Sequence, residues 1–331
     1  MTLGIDPALG PHGALLVDKP SGPTSHDIVG FVRRLLKTKR VGHTGTLDPL
    51  ATGLLIMLVG HATRLAQFLV ADEKEYVADI RLGIATPTYD AASLDPTSDV
   101  RSPRPAVTEG QIRAVLPDFL GTFPQLPPAF SAKKIGGVRA YEMARKNEAV
   151  DLKPVEVTVR ELELLSCEPS SGLGPRTSEV GTRDTALLRL RVVASAGFYV
   201  RSLAHDIGQL VGCGGHLEAL RRTRVGRFRI EDAATLDKLD AAGPAAAGRI
   251  LSMNALLDGY PAVTLTPDGL RRAGNGNPLG PDAFSLKAEA TARSTEVRAG
   301  DRMRVLDGSG EVLSVAEWRP DGLLHPLLVL R

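Results

Sequence analysis

The chain has 331 residues, of which 43% are hydrophobic and 24% charged, and its formal net charge at pH 7 is +2. This composition excludes an intrinsically disordered chain and provides enough apolar residues for one large and one small domain. The longest apolar run, Leu54 to Val59, is far shorter than the ~20 residues of a membrane-spanning helix, and the N-terminus does not resemble a secretory signal, so we expect a cytoplasmic protein without a membrane span.

The two cysteines, Cys167 and Cys213, are far apart in the sequence. Neither has a partner cysteine or a histidine at the spacing of a zinc site, which excludes a disulfide framework and a thiolate metal centre. We therefore predict that both are ordinary core or strand residues.

The chain is predicted to begin with a short buried strand, Gly13 to Asp18, and a turn, Lys19 to Pro23. A helix follows with Ser25 as its N-cap, because the next apolar residues recur at the spacing of one helix face. These apolar residues are Ile28, Val29, Val32, Leu35 and Leu36.

A glycine-rich loop, Val41 to Gly53, separates this helix from the apolar strand Leu54 to Val59. A helix from about Ala62 to Val70 and a strand from Glu75 to Leu82 are predicted next. A rigid loop between two buried elements is a common position for site residues, so we expect catalytic side chains in this loop.

The middle of the chain begins with Thr108 and Gln111, whose spacing predicts a capping box that opens a helix to Leu120. The segment Pro124 to Ala149 follows, with a proline-rich entry, two lysines and a glycine pair. This composition predicts a basic excursion from the domain rather than part of its core.

Strands are predicted at Val155 to Leu165 and Ala186 to Ala194, joined by a long hairpin loop, Glu168 to Asp184. Gly197 to Val211 then reads as a strand end that leads into a helix, and Thr223 to Ile230 reads as a further strand.

The C-terminal pattern changes from about Tyr260 to short strands and turns. Two alternating runs, Arg302 to Leu306 and Val312 to Trp318, flank the turn Asp307 to Gly310, which is a β-hairpin signature. We therefore predict a small all-β domain at this end of the chain.

Positive charge is concentrated in three segments, although the net charge of the chain is small. Such a segment lines either a phosphate-binding surface or an ordinary solvated face, and three together favour a polyanion as partner. The segments comprise Arg33, Arg34, Lys37, Lys39 and Arg40; Lys133, Lys134, Arg139, Arg145 and Lys146; and Arg221, Arg222, Arg224, Arg227 and Arg229.

Asp48 is the carboxylate of the glycine-rich loop, and several readings of it are open from the residues alone. It could be a turn aspartate, which is common, or a nucleophile. The loop lacks the Gly-Lys-Ser/Thr ending of a nucleotide phosphate loop. A metal site with His43 and His61 does not have zinc spacing, and a glycosidase would need a second carboxylate such as Asp90 or Asp206, which the sequence gives no reason to place nearby.

Five segments resemble bacterial tRNA pseudouridine-55 synthases, the TruB family, and occur in the same order from about Gly13 to Asp232. The segment Gly42 to Gly53 alone is highly specific for this family. The five segments are Lys19 to Ser25, Gly42 to Gly53, Lys74 to Tyr76, Ser131 to Lys134 and Gly197 to Gly208.

The resemblance implies that the chain isomerises a uridine to pseudouridine at position 55 in the TψC loop of tRNA, without a cofactor or metal. Asp48 matches the catalytic aspartate, which acts as nucleophile. Arg201 matches the arginine that pairs with it and is expected to keep it ionised, the alternative being a surface phosphate contact. Tyr76 matches the active-site tyrosine against the base; its hydroxyl is a weak base at neutral pH, so stacking is the safer role and proton abstraction the bolder one.

Further residues match family positions that contact the substrate. Tyr199 and Leu220 are expected beside the uracil, and His43 is expected to fill the gap that the flipped uridine leaves. Each could instead serve packing or the surface. Four cations are also expected to contact the RNA, and these are Lys19, Lys133, Arg221 and Arg222.

The predicted fold is α+β, a pseudouridine synthase fold with a largely antiparallel mixed central sheet. We expect a catalytic domain at 1–258, with a thumb-like basic insertion at 124–149, and a PUA-like RNA-binding β-barrel at 259–331. The expected partner is tRNA, bound by a monomer with no obligate protein partner. Two alternatives remain: a guide-RNA-dependent synthase of the same superfamily, and a non-catalytic tRNA-folding module that would not need Asp48.

Overall fold

A computed structural model of the chain describes residues 11–70, 72–93, 107–130, 134–135, 138–139, 152–171, 184–286 and 298–330. The predicted contact Lys133 and most of the predicted 124–149 insertion lie outside these residues. No helix within the described ranges is long and apolar enough to cross a membrane.

Within its described residues, the first part of the chain supplies strands of a large sheet, a separate two-stranded sheet and three α-helices. Its elements are β1 (Gly13–Lys19), α1 (Ser25–Leu35), β2 (Val41–His43), β3 (Thr52–Val59), α2 (Ala66–Leu69), β4 (Lys74–Leu82), α3 (Glu109–Val115), β5 (Gly121–Gln125), β6 (Lys134–Ile135) and β7 (Val138–Arg139). A 3₁₀ helix, Gly60–Leu65, precedes α2, so the predicted helix at 62–70 is half 3₁₀.

The second part completes the sheet and adds a C-terminal module. Its elements are β8 (Val155–Ser171), β9 (Asp184–Ala194), α4 (Val200–Leu210), β10 (Gly215–Val225), β11 (Phe228–Arg229), β12 (Ala234–Thr235), α5 (Leu236–Ala242), α6 (Met253–Leu256), β13 (Ala262–Leu265), α7 (Pro267–Gly274), β14 (Phe284–Leu286), β15 (Arg302–Leu306), β16 (Val312–Trp318) and β17 (Leu324–Val329).

The central sheet has the strand order β12-β1-β3-β10-β4-β9-β8-β5, with β2 on β3 and β11 on β10. Among the strands of this sheet that the structure describes, only β1/β12 and β3/β10 are parallel pairs. The predicted α+β fold with a largely antiparallel mixed sheet is therefore confirmed. The predicted strand at 223–230 is corrected, because a turn at Gly226 divides it between β10 and β11.

The start of α1 differs from the prediction by one residue. Thr24, not Ser25, is the N-cap: its hydroxyl accepts from the Asp27 backbone N–H, and the Asp27 carboxylate returns to the Thr24 N–H. Ser25 is buried instead and bonds to the loop of Asp48. The capping box of Thr108 and Gln111 is confirmed at the start of α3.

Two hydrophobic clusters cover the two faces of the sheet. The larger one lies under α1 and α4 and includes Leu47, Tyr76 and Leu220. The other joins β1 and β3 to the C-terminal module. The strand β3 is buried along nearly its whole length because it is covered on both faces.

The rest of the second face, on β10, β4, β9 and β8, is covered by ion pairs between neighbouring strands. Because opposite charges alternate, this face carries little unpaired charge and is compatible with solvent. The pairs include Arg81 with Glu218, Arg189 with Asp79, and Arg191 with Glu75 and Glu161.

The C-terminal module is a five-stranded sheet with the order β14-β13-β15-β16-β17. The predicted hairpin is confirmed by the antiparallel pair β15/β16. The predicted barrel is corrected, since in the part of the module that the structure describes the sheet is open, with β14 and β17 as its edges.

Candidate active site

The loop that carries Asp48 connects β2 to β3 and depends on two glycines. Gly45 and Gly53 have φ values of +104° and +101°, in the left-handed region that favours glycine. A Cβ atom on Gly53 would lie 2.3 Å from the backbone oxygen of Arg222. Glycine at this position therefore allows β3 and β10 to approach each other beneath the loop.

Two buried side chains hold the loop on either side of Asp48. The Ser25 hydroxyl donates to the Leu47 oxygen at 3.0 Å and accepts from the Leu47 N–H at 2.9 Å. The Lys19 ammonium donates to the oxygens of Pro49, at 3.2 Å, and Ala51, at 2.6 Å. The backbone that presents Asp48 is thus fixed from both directions.

Arg201, in the first turn of α4, is brought against Asp48 as the sequence predicts. Its Nε lies 3.0 Å from Oδ2 of Asp48, and its Nη2 lies 3.4 Å from Oδ1. Arg201 is buried, whereas the Asp48 side chain is 36% exposed. The carboxylate is therefore held from the protein side and remains partly accessible to solvent.

Arg201 also pairs with a second carboxylate, that of Asp90, whose position in the site the sequence did not predict. Its Oδ2 lies 3.4 Å from Nη1 of Arg201, and its Oδ1 accepts from the Thr88 hydroxyl at 2.6 Å and the Ala92 N–H at 3.1 Å. Arg201 also donates to the oxygens of Thr88 and Phe130. The guanidinium is therefore fixed between two carboxylates.

The pKa of Asp48 is raised above the ordinary value of an aspartate. The largest cause is the loss of solvation, because protein atoms surround the carboxyl group closely even though the side chain faces an opening. Arg201 and Lys19 lower this pKa, and Asp90 raises it further. Arg201 acts in the expected direction, but it does not outweigh burial.

Tyr76 and Leu220 lie on neighbouring strands and form part of the wall of the same cluster as Leu47. Both are 8% exposed, and both point to the face that carries α1 and α4. Burial lowers the pKa of the Arg222 guanidinium, and the Tyr76 side chain, which lies near it, raises that pKa. Tyr76 and Leu220 thus form an apolar surface on the face of the sheet that carries the Asp48 loop.

Tyr199 is the N-cap residue of α4, two positions before Arg201. The Gln125 side chain donates to its backbone oxygen at 3.1 Å and accepts from its N–H at 2.8 Å. The Ser202 hydroxyl donates to the Leu126 oxygen at 2.7 Å. The end of β5 is therefore tied to the helix that supplies Arg201.

Lys19 and Arg222 do not fit their predicted contact with RNA, because both are fully buried. Three backbone oxygens surround the Lys19 ammonium, and burial lowers its pKa to about 8. Arg222 donates to the oxygens of Leu54 and Gly45, and burial lowers its pKa as well. Both cations support the loop of Asp48 from below.

Arg221 and His43 are more accessible than these two cations. Arg221 is 43% exposed and paired with Asp18 at 2.8 Å. His43 ends β2, and burial and the nearby Arg222 lower its pKa, so the ring is neutral at pH 7. A neutral ring suits the predicted stacking role.

Tyr89, the residue before Asp90, forms a stacked pair with His205 that the sequence did not predict. Tyr89 has a φ of +62°, which is unusual for a residue other than glycine. Its ring stacks on His205 of α4, with centroids 3.8 Å apart, one helical turn after Arg201. Only the unusual density of threonine and aspartate in residues 86–90 signals this structured loop in the sequence.

A metal site at Asp48 would need histidine ligands beside the carboxylate. His61 lies against His12, whose Nδ1 accepts from the His61 N–H, and not beside Asp48. Within the described ranges, no group of three His, Cys, Asp or Glu side chains is placed to hold a metal ion.

Two family models match consecutive parts of the chain. Residues 33–200 match the "TruB family pseudouridylate synthase (N terminal domain)", and residues 201–257 match the "tRNA pseudouridylate synthase B C-terminal domain". Together these matches cover the loop of Asp48, β4 and the helix of Arg201.

Curated relatives match over most of the chain. The tRNA pseudouridine synthase B of Solibacter usitatus is 40% identical over 96% of this chain and 99% of its own. That of Thermobifida fusca is 43% identical, covering 82% of this chain and 88% of its own. That of Aquifex aeolicus is 44% identical, covering 68% and 72%.

Solved structures share the fold at lower sequence identity. A chain of an H/ACA RNP bound to a substrate RNA containing 2′-deoxyuridine has a TM-score of 0.66 and 24% identity, covering 97% of this chain and 85% of its own. A chain of the archaeal box H/ACA sRNP Nop10-Cbf5 complex has a TM-score of 0.65 and 24% identity, covering 98% and 88%.

Proposed function

The chain belongs to the TruB family of pseudouridine synthases, and we propose that it isomerises uridine to pseudouridine at position 55 in the TψC loop of tRNA with Asp48 as the nucleophile. The observation that carries this proposal is the ion pair of Asp48 and Arg201, in which a buried cation holds a partly exposed carboxylate. A nucleophile must be both fixed and accessible, and this arrangement provides both.

The reaction needs no electron or group carrier. The bond between N1 of the uracil and C1′ of the ribose breaks, the ring turns and a bond from C5 to C1′ forms; the proton on C5 passes to a base, and N1 takes up a proton. The reaction therefore requires a carboxylate that meets the flipped nucleoside, a pocket that holds the detached ring and a base for the C5 proton.

The surrounding residues have distinct roles in this proposal. Tyr76, Tyr199 and Leu220 hold the uracil ring. Arg201 orients Asp48, and Asp90 orients Arg201. His43 stacks in the space that the flipped base leaves, and Arg221 contacts the RNA backbone.

The molecule is proposed to act on tRNA as a single chain in the cytoplasm, where its substrate is found. We assign residues 1–258 to catalysis and 259–331 to RNA binding, and we expect the 124–149 insertion, with Lys133, to contact the RNA. These assignments extend the family resemblance of the chain.

The test is the substitution Asp48→Asn, assayed by mapping pseudouridine in a tRNA transcript incubated with the purified chain. We expect tRNA binding to persist and pseudouridine formation to be lost. Asp79→Asn, which makes the same change of charge in an ion pair on the second face of the sheet, should remain active. Full activity of Asp48→Asn would refute the mechanism.

The same assay separates the two alternatives. A guide-RNA-dependent enzyme would be inactive on a free transcript without a second RNA. An RNA-folding module would show the same effect on tRNA structure in wild type and Asp48→Asn.

A further inference from the structure

The three basic segments of the sequence have different environments in the structure. In the third segment, Arg222 is buried, and Arg221, Arg224 and Arg227 are paired with carboxylates, which leaves Arg229 as its one exposed arginine without a carboxylate partner among the described residues. Side chains of the second segment lie outside the described residues. The first segment, at the end of α1, therefore offers the larger group of free cations.

The five cations of the first segment are exposed and unpaired. Within the described part of the chain, none lies within ion-pair distance of a carboxylate, in contrast to the paired arginines on the second face of the sheet. They are Arg33, Arg34, Lys37, Lys39 and Arg40.

Part of this segment surrounds a shallow, largely open depression at the protein surface, which we call the α1 groove. Arg33, Arg34, Lys37, Thr38 and Lys39 line it. A surface with four cations and a hydroxyl group has the chemistry of a phosphate-binding site.

Lys37 occupies a backbone position that normally belongs to glycine. The Lys37 N–H bonds to the Arg34 oxygen and the Thr38 N–H to the Arg33 oxygen, which is the hydrogen-bond pattern of a Schellman motif. Lys37 has the left-handed φ of +49° that this motif requires. The helix dipole favours cations in the last turn of α1, but it does not explain a lysine at a strained position beyond it.

The α1 groove is connected to the active site by two rigid elements. The first residue of α1, Ser25, bonds to Leu47 beside the nucleophile, and nine residues of helix separate it from Arg34, a distance of about 14 Å. Arg33 donates to the Val41 oxygen on β2, the strand that ends at His43. The distance between the α1 groove and the site is therefore within the span of a few nucleotides.

We propose that the α1 groove binds the phosphodiester backbone of the substrate RNA next to the flipped uridine. This inference rests on the proposed function, since it takes tRNA as the partner. Each phosphate contact releases counterions, so the groove contributes to the salt dependence of tRNA binding and to KM rather than to kcat.

The test is a triple variant, Arg33→Gln, Arg34→Gln and Lys37→Gln, with binding and turnover measured on a tRNA transcript at several salt concentrations. We expect Kd and KM to rise about tenfold or more, with kcat at saturating RNA unchanged, and the slope of log Kd against log salt to fall by about two to three. Wild-type Kd and slope would overturn the proposal.

The control variant makes the same change of net charge at arginines that already have a carboxylate partner. Arg113→Gln, Arg160→Gln and Arg189→Gln should leave Kd and the salt slope near their wild-type values, and an equal loss would show that overall charge, not the groove, is responsible. Their partners are Glu109, Glu73 and Asp79.

Lys37→Gly separates binding from folding. Glycine relieves the strained φ, so we expect Tm to rise by about 2 °C, while loss of the charge raises Kd several-fold. A more stable protein that binds RNA more weakly cannot be explained by misfolding. An unchanged Kd in this variant would count against the groove.

The binding measurements are repeated with Asp48→Asn in every variant. RNA affinity is then read without catalysis, so failure of the groove and failure of the catalytic proposal give different results. Equal RNA affinity with and without the groove substitutions contradicts only the proposal for the α1 groove.

Discussion

Arg201 is the residue through which the site is organised, because it pairs with Asp48 and Asp90 at the same time. Two carboxylates in different directions fix the plane of the guanidinium more firmly than one would. The cost is electrostatic, since Asp90 and burial both raise the pKa of Asp48. Precise orientation of the nucleophile is thus obtained at the expense of its acidity.

The raised pKa of Asp48 predicts the acid side of the pH profile. Ionised Asp48 is the reactive form, so the rate should fall with decreasing pH through a midpoint above 3.8, the ordinary value for an aspartate. Single-turnover rates on a tRNA transcript across this pH range measure the midpoint. A rate that stays constant down to the ordinary value would contradict the role of burial.

Asp90→Asn should lower kcat and shift this profile. Without Asp90, Arg201 loses one of its two charged partners, and imprecise placement of Asp48 should reduce kcat by about 10- to 100-fold. Because a like charge has been removed, the pKa of Asp48 should fall, which moves the acid limb to lower pH. The measurement is the pH profile of kcat for the variant. A lower kcat with an unchanged midpoint on the acid side would mean that Asp90 supports only the fold.

The sequence predicted that Asp48 and Arg201 lie together, as they do in the structure, but it gave no reason to place Asp90 beside them. The reason is that Asp90 reaches the site through a pairing distant in sequence, in which the Leu217 N–H donates to the Tyr89 oxygen. The prediction for Lys19 failed in the opposite way. A cation beside a turn is expected to be exposed and to contact the RNA, but Lys19 is buried. The backbone oxygens of Pro49 and Ala51, which are distant in sequence, accept hydrogen bonds from its ammonium group.

At the scale of elements, the loop of Asp48 is shaped by the close approach of β3 and β10 at Gly53. Local patterns predicted the glycine-rich loop and its neighbouring strands. They did not distinguish Thr24 from Ser25 as the cap of α1, because either hydroxyl suits the position. The long-range bonds of Ser25 to Leu47 decide between them.

Gly53→Ala should destabilise the protein by about 3 kcal/mol, since the new Cβ would meet the Arg222 oxygen at 2.3 Å in addition to the backbone strain. Gly22→Ala is the matched control, with a φ of +106° but no atom within 4 Å of the new Cβ, so we expect a loss of about 1 kcal/mol from strain alone. Urea unfolding measures both. Equal losses would show that the contact with β10 is unimportant.

At the scale of the whole molecule, the C-terminal module completes the core of the catalytic sheet. Leu54, Ile56 and Leu58 of β3 share one apolar cluster with Val315 and Leu328 of the module. The unbroken apolar run of β3 in the sequence indicates a strand that is covered on both faces. The run does not indicate which segment of the chain covers the second face.

Removal of residues 259–331 should therefore prevent stable folding of the remainder, not merely weaken RNA binding. The truncation would expose the apolar face of β1 and β3 that the module buries, and exposed apolar surface of this kind leads to aggregation.

In calorimetry, the full chain should unfold in one transition. Val315→Ala in the module and Ile56→Val in the sheet should both lower that same Tm, since each removes buried methyl groups from one shared cluster at about 1 kcal/mol or more. Two separate transitions, or a folded and active fragment 1–258, would instead make the module an independent domain whose contacts with β3 contribute nothing to the stability of the site.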